Sequence, residues 1–194
     1  MISSEKNSDK IPDGICDIPC GARFTSSVQK IRNLMRNGMF RDLTRKKQRL
    51  SAVECKEILK QEVRGVLAVN GDDGYPYALP INFYFDEESN KIYFHSGKSG
   101  YKLDAIAGSD KVSFCIYDKG YHKDGDWSLN IRSVIIFGHI HIVDNWSDEL
   151  MVNFCKRFTC DRDYIYNEIV KFRSSTAILC LEIEHMTGKL VNEA

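Results

Sequence analysis

The sequence predicts a mainly β, α+β domain: an antiparallel barrel, closed or partly closed, with helices at its rim. Three patterns carry that expectation. Tyr75, Tyr77, Leu79, Ile81, Phe83 and Phe85 alternate along one run, the period of a half-buried strand. Turn-forming residues cluster at 71–74 and 86–90, where the chain should reverse. Helical spacing is confined to short stretches between or beyond the strands. With 194 residues, 43% of them hydrophobic, the chain is long enough for one good core and short for two, so one folded domain is expected.

In chain order, residues 1–38 mix Ser, Asn, Asp, Gly and Pro with scattered apolar residues, a composition that predicts a loose N-terminal extension. Met35 and Met39 raise the prospect of an internal natural start. Arg41 to Arg49 holds five basic residues and one acidic one and reads as a solvated approach to a helix. Ser51-Ala52-Val53-Glu54 has the spacing of a capping box and opens a helix over about 52–63. Val66–Asn70 is a short strand, and Gly71-Asp72-Asp73-Gly74 turns it into the alternating run. Pro76 and Pro80 remove two ladder donors there, which predicts an edge strand or a bulge at Pro80.

The next strand runs into a break: Ile92-Tyr93-Phe94-His95-Ser96-Gly97-Lys98-Ser99-Gly100-Tyr101-Lys102 is an aromatic strand, a small-residue loop and a helix start. Ser99 stands where an N-cap would, with Lys102 on the first turn. Such a helix end suits a phosphate group, and it is equally the pattern of an ordinary strand-to-helix connection. Lys111–Tyr117 and Leu129–Val143 read as further strands. Leu150, Met151, Phe154, Cys155 and Phe158 fall at helical intervals behind Ser147, Tyr164–Phe172 adds helical turns, and Thr176–Ile183 is the last strand.

Composition excludes several classes. Basic and acidic residues total 27 each, so no overall charge draws the chain to nucleic acid or an anionic membrane. No apolar run long enough for a span and no charged leader with an apolar core is present, and a cytoplasmic protein is expected. Seven cysteines, an odd number spread through helices and strands, fit reduced thiols. Cys16 with Cys20, and Cys155 with Cys160, lack the double pairing of a zinc site. His139 and His141 share a strand face about 7 Å apart, but no third ligand is spaced to join them, so no metal is expected.

Five motifs in order, Gly65-Val66-Leu67-Ala68, Gly74-Tyr75-Pro76-Tyr77 with Pro80, Tyr93-Phe94-His95-Ser96 with Gly100-Tyr101-Lys102-Leu103, Ser133-Val134-Ile135-Ile136-Phe137-Gly138, and Thr187-Gly188-Lys189, resemble the FMN-binding split-barrel superfamily. Within it, the chain is similar to the branch related to pyridoxamine 5′-phosphate oxidase that includes the nitroimidazole-resistance proteins. The resemblance covers about residues 39–190. It implies a six-stranded antiparallel split barrel with flanking helices, forming a homodimer with one FMN in each of two clefts between subunits. By the same resemblance, His95-Ser96 and Gly100-Tyr101-Lys102 match the groups that hold the cofactor, with Lys102 keeping the phosphate-binding charge; Ser99, the cap candidate, lies beside them. Pro80, Ile81, Asn82 and Phe83 fall on the strand that lines the flavin ring, and Ser133 takes the place of a ring-contacting glutamine. Tyr101 stands where the oxidase has arginine. The oxidase's C-terminal tryptophan and arginine motif is absent after Glu184, so pyridoxamine phosphate is not the expected substrate.

The function expected is an FMN-dependent oxidoreductase passing electrons to a small aromatic or nitro-bearing acceptor. No Gly-x-Gly-x-x-Gly opens a helix, so any NAD(P)H donor would be a transient visitor. His95 titrates near neutrality and is the candidate for proton delivery. Two alternatives remain at this level: a non-catalytic flavin or haem carrier, with His95, His139 or His141 as axial ligand, and a cofactor-free barrel that acts by interaction alone.

Overall fold

The computed structural model describes residues 40–192, and the elements below belong to the compact unit that begins at Asp42. The expected N-terminal extension, Met35, Met39, Cys16 and Cys20 lie outside the described residues. After a short 3-10 turn at Lys46–Gln48 the elements are β1 (Arg49–Leu50), α1 (Ala52–Gln61), β2 (Arg64–Asn70), β3 (Pro76–Asn82), β4 (Tyr84–Asp86), β5 (Lys91–Gly97), α2 (Tyr101–Gly108), β6 (Lys111–Tyr117), β7 (Tyr121–His122), β8 (Leu129–Val143), α3 (Asp148–Cys155), α4 (Arg162–Phe172) and β9 (Thr176–Asn192). Six strands are long, and three are pieces of two or three residues.

All pairings are antiparallel and join one curled sheet in the order β3-β2-β6-β8-β9-β5-β4, with β1 on β9 and β7 on β8. The alternation predicted a closed or partly closed antiparallel barrel, and the split barrel that the resemblance implied is the form observed. β8 and β9 are its spine. β9 pairs with β5 through its first half and with β1 near its end, so it serves both parts of the barrel. The register between them shifts at Phe137/Gly138, where Phe137 faces His185 but Gly138 faces Ile183. Glu184 is the extra residue of that bulge.

Inward positions fill the barrel with Leu67, Ile81, Phe83, Phe94, Phe114, Ile136 and Leu179. Phe114 meets Phe83 and Phe94 edge-on, with centroids 5.1 and 5.0 Å away, an arrangement that suits the ring quadrupoles. α1 closes one side with Cys55, Ile58 and Leu59, and α2 another with Leu103 and Ile106. The capping box forms: Ser51 Oγ accepts from the Glu54 amide at 3.2 Å, and Glu54 accepts from the Ser51 amide at 2.7 Å. A second cluster, Trp146, Met151, Phe154, Ile165 and Ile169 around Ile178, packs α3 and α4 on the outward side of β5 and β9. Ser147 and Asp161 cap those two helices.

Several boundaries differ from expectation. The alternating run is interrupted at Phe83, whose amide turns to the Val63 carbonyl at 3.1 Å, so it forms two strands. Pro80 stays in register opposite Val66 with no bulge. It is tolerated because β3 is the edge of the sheet, where a missing donor costs no ladder bond. The last strand continues past Ile183 to Asn192. The Arg41–Arg49 segment is mostly exposed and leads to α1 as expected, but it carries a 3-10 turn and enters β1 at Arg49.

Candidate functional site

β5 ends at Gly97 and α2 begins at Tyr101. The helix cap is Gly100, with φ 120° and ψ 166° and no side-chain cap bond. This corrects the expectation for Ser99: the turn needs a positive φ that glycine adopts without a Cβ penalty. Leu103 and Asp104 both send their amides to the Gly100 carbonyl, at 2.8 and 3.2 Å. The amides of Tyr101 and Lys102 are left as the open donors of the first turn. A Cβ built on Gly97 or Gly100 would meet nothing within 4 Å, so the joint is open to the surface.

Lys102 stands half-buried at this joint with no ion pair or hydrogen bond among the described residues. Burial holds its ammonium below the ordinary lysine value. Its charge is felt by His95, whose imidazole is pushed below its usual value first by desolvation and then by Lys102. A partly desolvated cation without a counter-ion, beside open amides and a neutral imidazole, is an arrangement completed by an anion.

Strand alternation sorts the other expected residues. Ile81 and Phe83 point into the barrel, 8% and 0% exposed, so only their backbone can meet a ligand. Pro80, Asn82 and His95 take the outward phase, and Ser96 takes the opposite phase from His95. Asn82 and His95 line one cavity, while Pro80 lines a second, of about 260 Å³, with Arg64, Tyr117, Asp118 and Lys119. Tyr101 turns away from the joint. Its hydroxyl accepts from the Asp72 amide at 2.7 Å, and its ring lies edge-on to Tyr77, so it ties α2 to the β2–β3 turn. Ser133 is on β8, three strands from Asn82 by way of β6 and β2, roughly 14 Å at the usual strand spacing. Lys102, His95 and Asn82 therefore gather at one end of the outward face, and Ser133 stands apart from them.

Three further residues shape this surface. Arg64 Nε donates to the Asn82 side-chain oxygen at 2.9 Å. Trp146 and Arg173 line a cleft of about 430 Å³ with Lys98, Leu103 and Thr176. Arg173 stacks over the Trp146 ring at 4.2 Å and reaches Asp148 and the Trp146 carbonyl. Sequence gave no local signal for these, because their partners are 18 to 27 positions away. His139 lies between Asp110 (2.8 Å) and Glu184 (3.4 Å), and the Asp110 hydrogen bond raises its imidazole above the usual value. Among the described residues no group of three or more His, Cys, Asp or Glu is placed to hold a metal, and no helix is long and apolar enough to cross a membrane.

Comparison with known proteins agrees with this architecture. Residues 51–190 match the family model described as pyridoxamine 5′-phosphate oxidase. A crystal structure described as a 5-nitroimidazole antibiotic resistance protein from Bacteroides thetaiotaomicron superposes with a TM-score of 0.59 at 17% identity, covering 74% of this chain and 87% of that one. An FAD-binding protein from Mesorhizobium loti gives 0.53 at 21% identity, covering 74% and 97%. An FAD- and haem-binding protein from Mycobacterium smegmatis gives 0.53 at 19%, covering 76% and 74%. No curated protein matches the chain. The family match runs from the α1 cap to within two residues of the end of β9, and on that ground the chain belongs to the pyridoxamine 5′-phosphate oxidase family.

Proposed function

We propose that this protein binds FMN on the outward face of its barrel and works as an oxidoreductase toward a small aromatic or nitro-bearing acceptor. The observation that carries the reading is Lys102, half-buried without a counter-ion beside the open amides of α2. The residues fit a phosphate monoester. Lys102 supplies charge, the Tyr101 and Lys102 amides supply directed donors, and Gly97 and Gly100 leave the room. Bound isoalloxazine would supply the electron transfer.

The chain's own residues do the rest. The backbone of Pro80 to Phe83 and the Asn82 side chain offer the ring an edge. His95, held neutral, can donate or accept a single hydrogen bond and is the group able to move a proton. Val66, Cys115 and Ile135 lie side by side on the outward face, a half-buried, mostly apolar strip suited to a second copy of the chain. A homodimer would then close the site, with Ser133 approaching the ring end. Nicotinamide would visit without a dedicated fold for it.

The test is a titration of the full-length protein with FMN and with FAD, read by flavin fluorescence, alongside light scattering for mass. Micromolar or tighter FMN binding to a dimer is the expected result. Absence of binding to either flavin would overturn the reading, and a Soret band in the purified protein would replace it with the haem-carrying alternative, for which His95 offers an imidazole with no hydrogen-bond partner.

A further inference from the structure

We propose that the cavity between β5 and the α3–α4 hairpin is a binding site for a small, uncharged, planar aromatic molecule, held by ring contacts and one hydrogen bond to His95. The cavity encloses about 240 Å³, below the roughly 300 Å³ at which drug-sized sites begin, so its occupant is one or two rings. Met151, Phe154, Phe158, Ile169, Phe172 and Trp146 make its apolar wall.

Most of the polar groups at its rim have partners elsewhere, and among the described residues His95 has none. The Asn82 oxygen accepts from Arg64 at 2.9 Å. Thr176 Oγ1 donates to the Phe172 carbonyl at 2.9 Å. Arg173 is bound to Asp148 and the Trp146 carbonyl, and Glu168 lies 3.6 Å from Lys171. His95 has no hydrogen-bond partner among the described residues. Its ring meets Phe154 at right angles, with centroids 5.0 Å apart.

Charge selection follows from that inventory. A carboxylate ring would be desolvated beside Glu168, and an amidinium ring beside Arg173, with no free counter-ion for either. A neutral ring loses only weak hydration, stacks on phenylalanines and satisfies the imidazole. The site itself stands without any cofactor; as the seat of an electron acceptor it rests on the flavin reading above.

The chain has two tryptophans, of which Trp127 is 78% exposed and Trp146 only 9%. Trp127→Phe therefore leaves a single reporter inside the cavity wall. That variant is titrated with benzamide, benzoate and benzamidine, with and without FMN. Benzamide is expected to shift Trp146 emission saturably, and to bind at least about ten-fold tighter than either charged analogue. Cys155→Phe, which fills the cavity, and His95→Leu, at an accessible position, should each weaken benzamide by about ten-fold or more. If Cys155→Phe does not fold, His95→Leu decides. Equal affinity for the three compounds, no saturable shift, or indifference to His95→Leu overturns the proposal. Flavin fluorescence in the same samples is a separate readout, so loss of FMN binding with benzamide binding retained sinks the flavin reading alone.

Discussion

Arg64 and Asn82, paired across β2 and β3, share a hydrogen bond of 2.9 Å that stands between the two small cavities of the outward face. Removing it frees the Arg64 side chain from β3. Asn82→Ala should leave the stability within about 0.5 kcal/mol, since Arg64 is exposed and can turn to water. FMN affinity should fall about ten-fold, because an unmoored guanidinium no longer fixes the edge on which the ring would rest. Urea denaturation and FMN titration of the same preparation check both halves. An unchanged dissociation constant places the ring away from β3.

Lys102 and Tyr101 are neighbours on α2 with opposite roles. Lys102→Ala should weaken FMN by roughly 1.5–3 kcal/mol, or about 10–150-fold, the range of a charge-assisted contact. Tyr101→Phe removes only the bond to the Asp72 amide and should leave affinity within about two-fold. Comparing the two by flavin fluorescence separates loss of charge from loosening of the helix. Equal losses would mean that the phosphate does not sit on this turn.

Much of the architecture was legible because the sequence is locally consistent. Leu129–Val143, a long apolar run whose tail His139–Ile142 alternates, is one strand over those same residues. Ser51 and Glu54 carry their helix start in four positions, and Asp73 and Gly74 take the positive φ values that their turn position suggested. The failures have physical causes too. Ser99 is a good cap by composition, but the chain leaves β5 at an angle that only Gly100 can adopt. β9 looked finished at Ile183 because the extra residue Glu184 breaks the period of two, and that bulge exists only opposite Gly138. At the site, Lys102 and His95 lie seven residues apart on one strand-loop-helix unit and could be read together. Arg64, Trp146 and Arg173 reach the same surface through strand register and helix packing, which a linear pattern does not carry.

The neutral imidazole of His95 gives a pH dependence of definite sign. Its folded value is depressed, so as pH falls the unfolded chain takes up this proton before the native one does. Stability should drop as pH falls below about 6.5 and level off above it. His139 acts oppositely, since its raised value adds stability at low pH that is lost as pH rises, so the comparison needs His95→Gln rather than the wild type alone. The wild type minus the variant should lose stability between about pH 7.5 and 5.5 in urea melts. Saturating FMN should shrink that loss, because a bound dianion favours the imidazolium. A difference that is flat with pH, or rises toward acid, contradicts a desolvated His95.

Gly138 sets where the spine bends. A Cβ there would overlap the Glu182 carbonyl oxygen and lie 3.0 Å from Leu181 Cδ1, and the oxygen belongs to a ladder that cannot swing aside as a side chain can. Gly138→Ala must therefore push β9 off β8 at the bulge, for a cost of about 3 kcal/mol or more. β9 carries β5 along Lys91–Gly97, so the displacement reaches the strand that holds His95, and FMN affinity should fall with stability. Gly108→Ala is the matched control: it lies in α2 with open space at its Cβ, and alanine there should be neutral or add up to about 1 kcal/mol. Paired urea melts that put the two variants within about 0.5 kcal/mol of each other would show that the close approach at Gly138 relaxes freely, and that the bulge does not fix the path of β9.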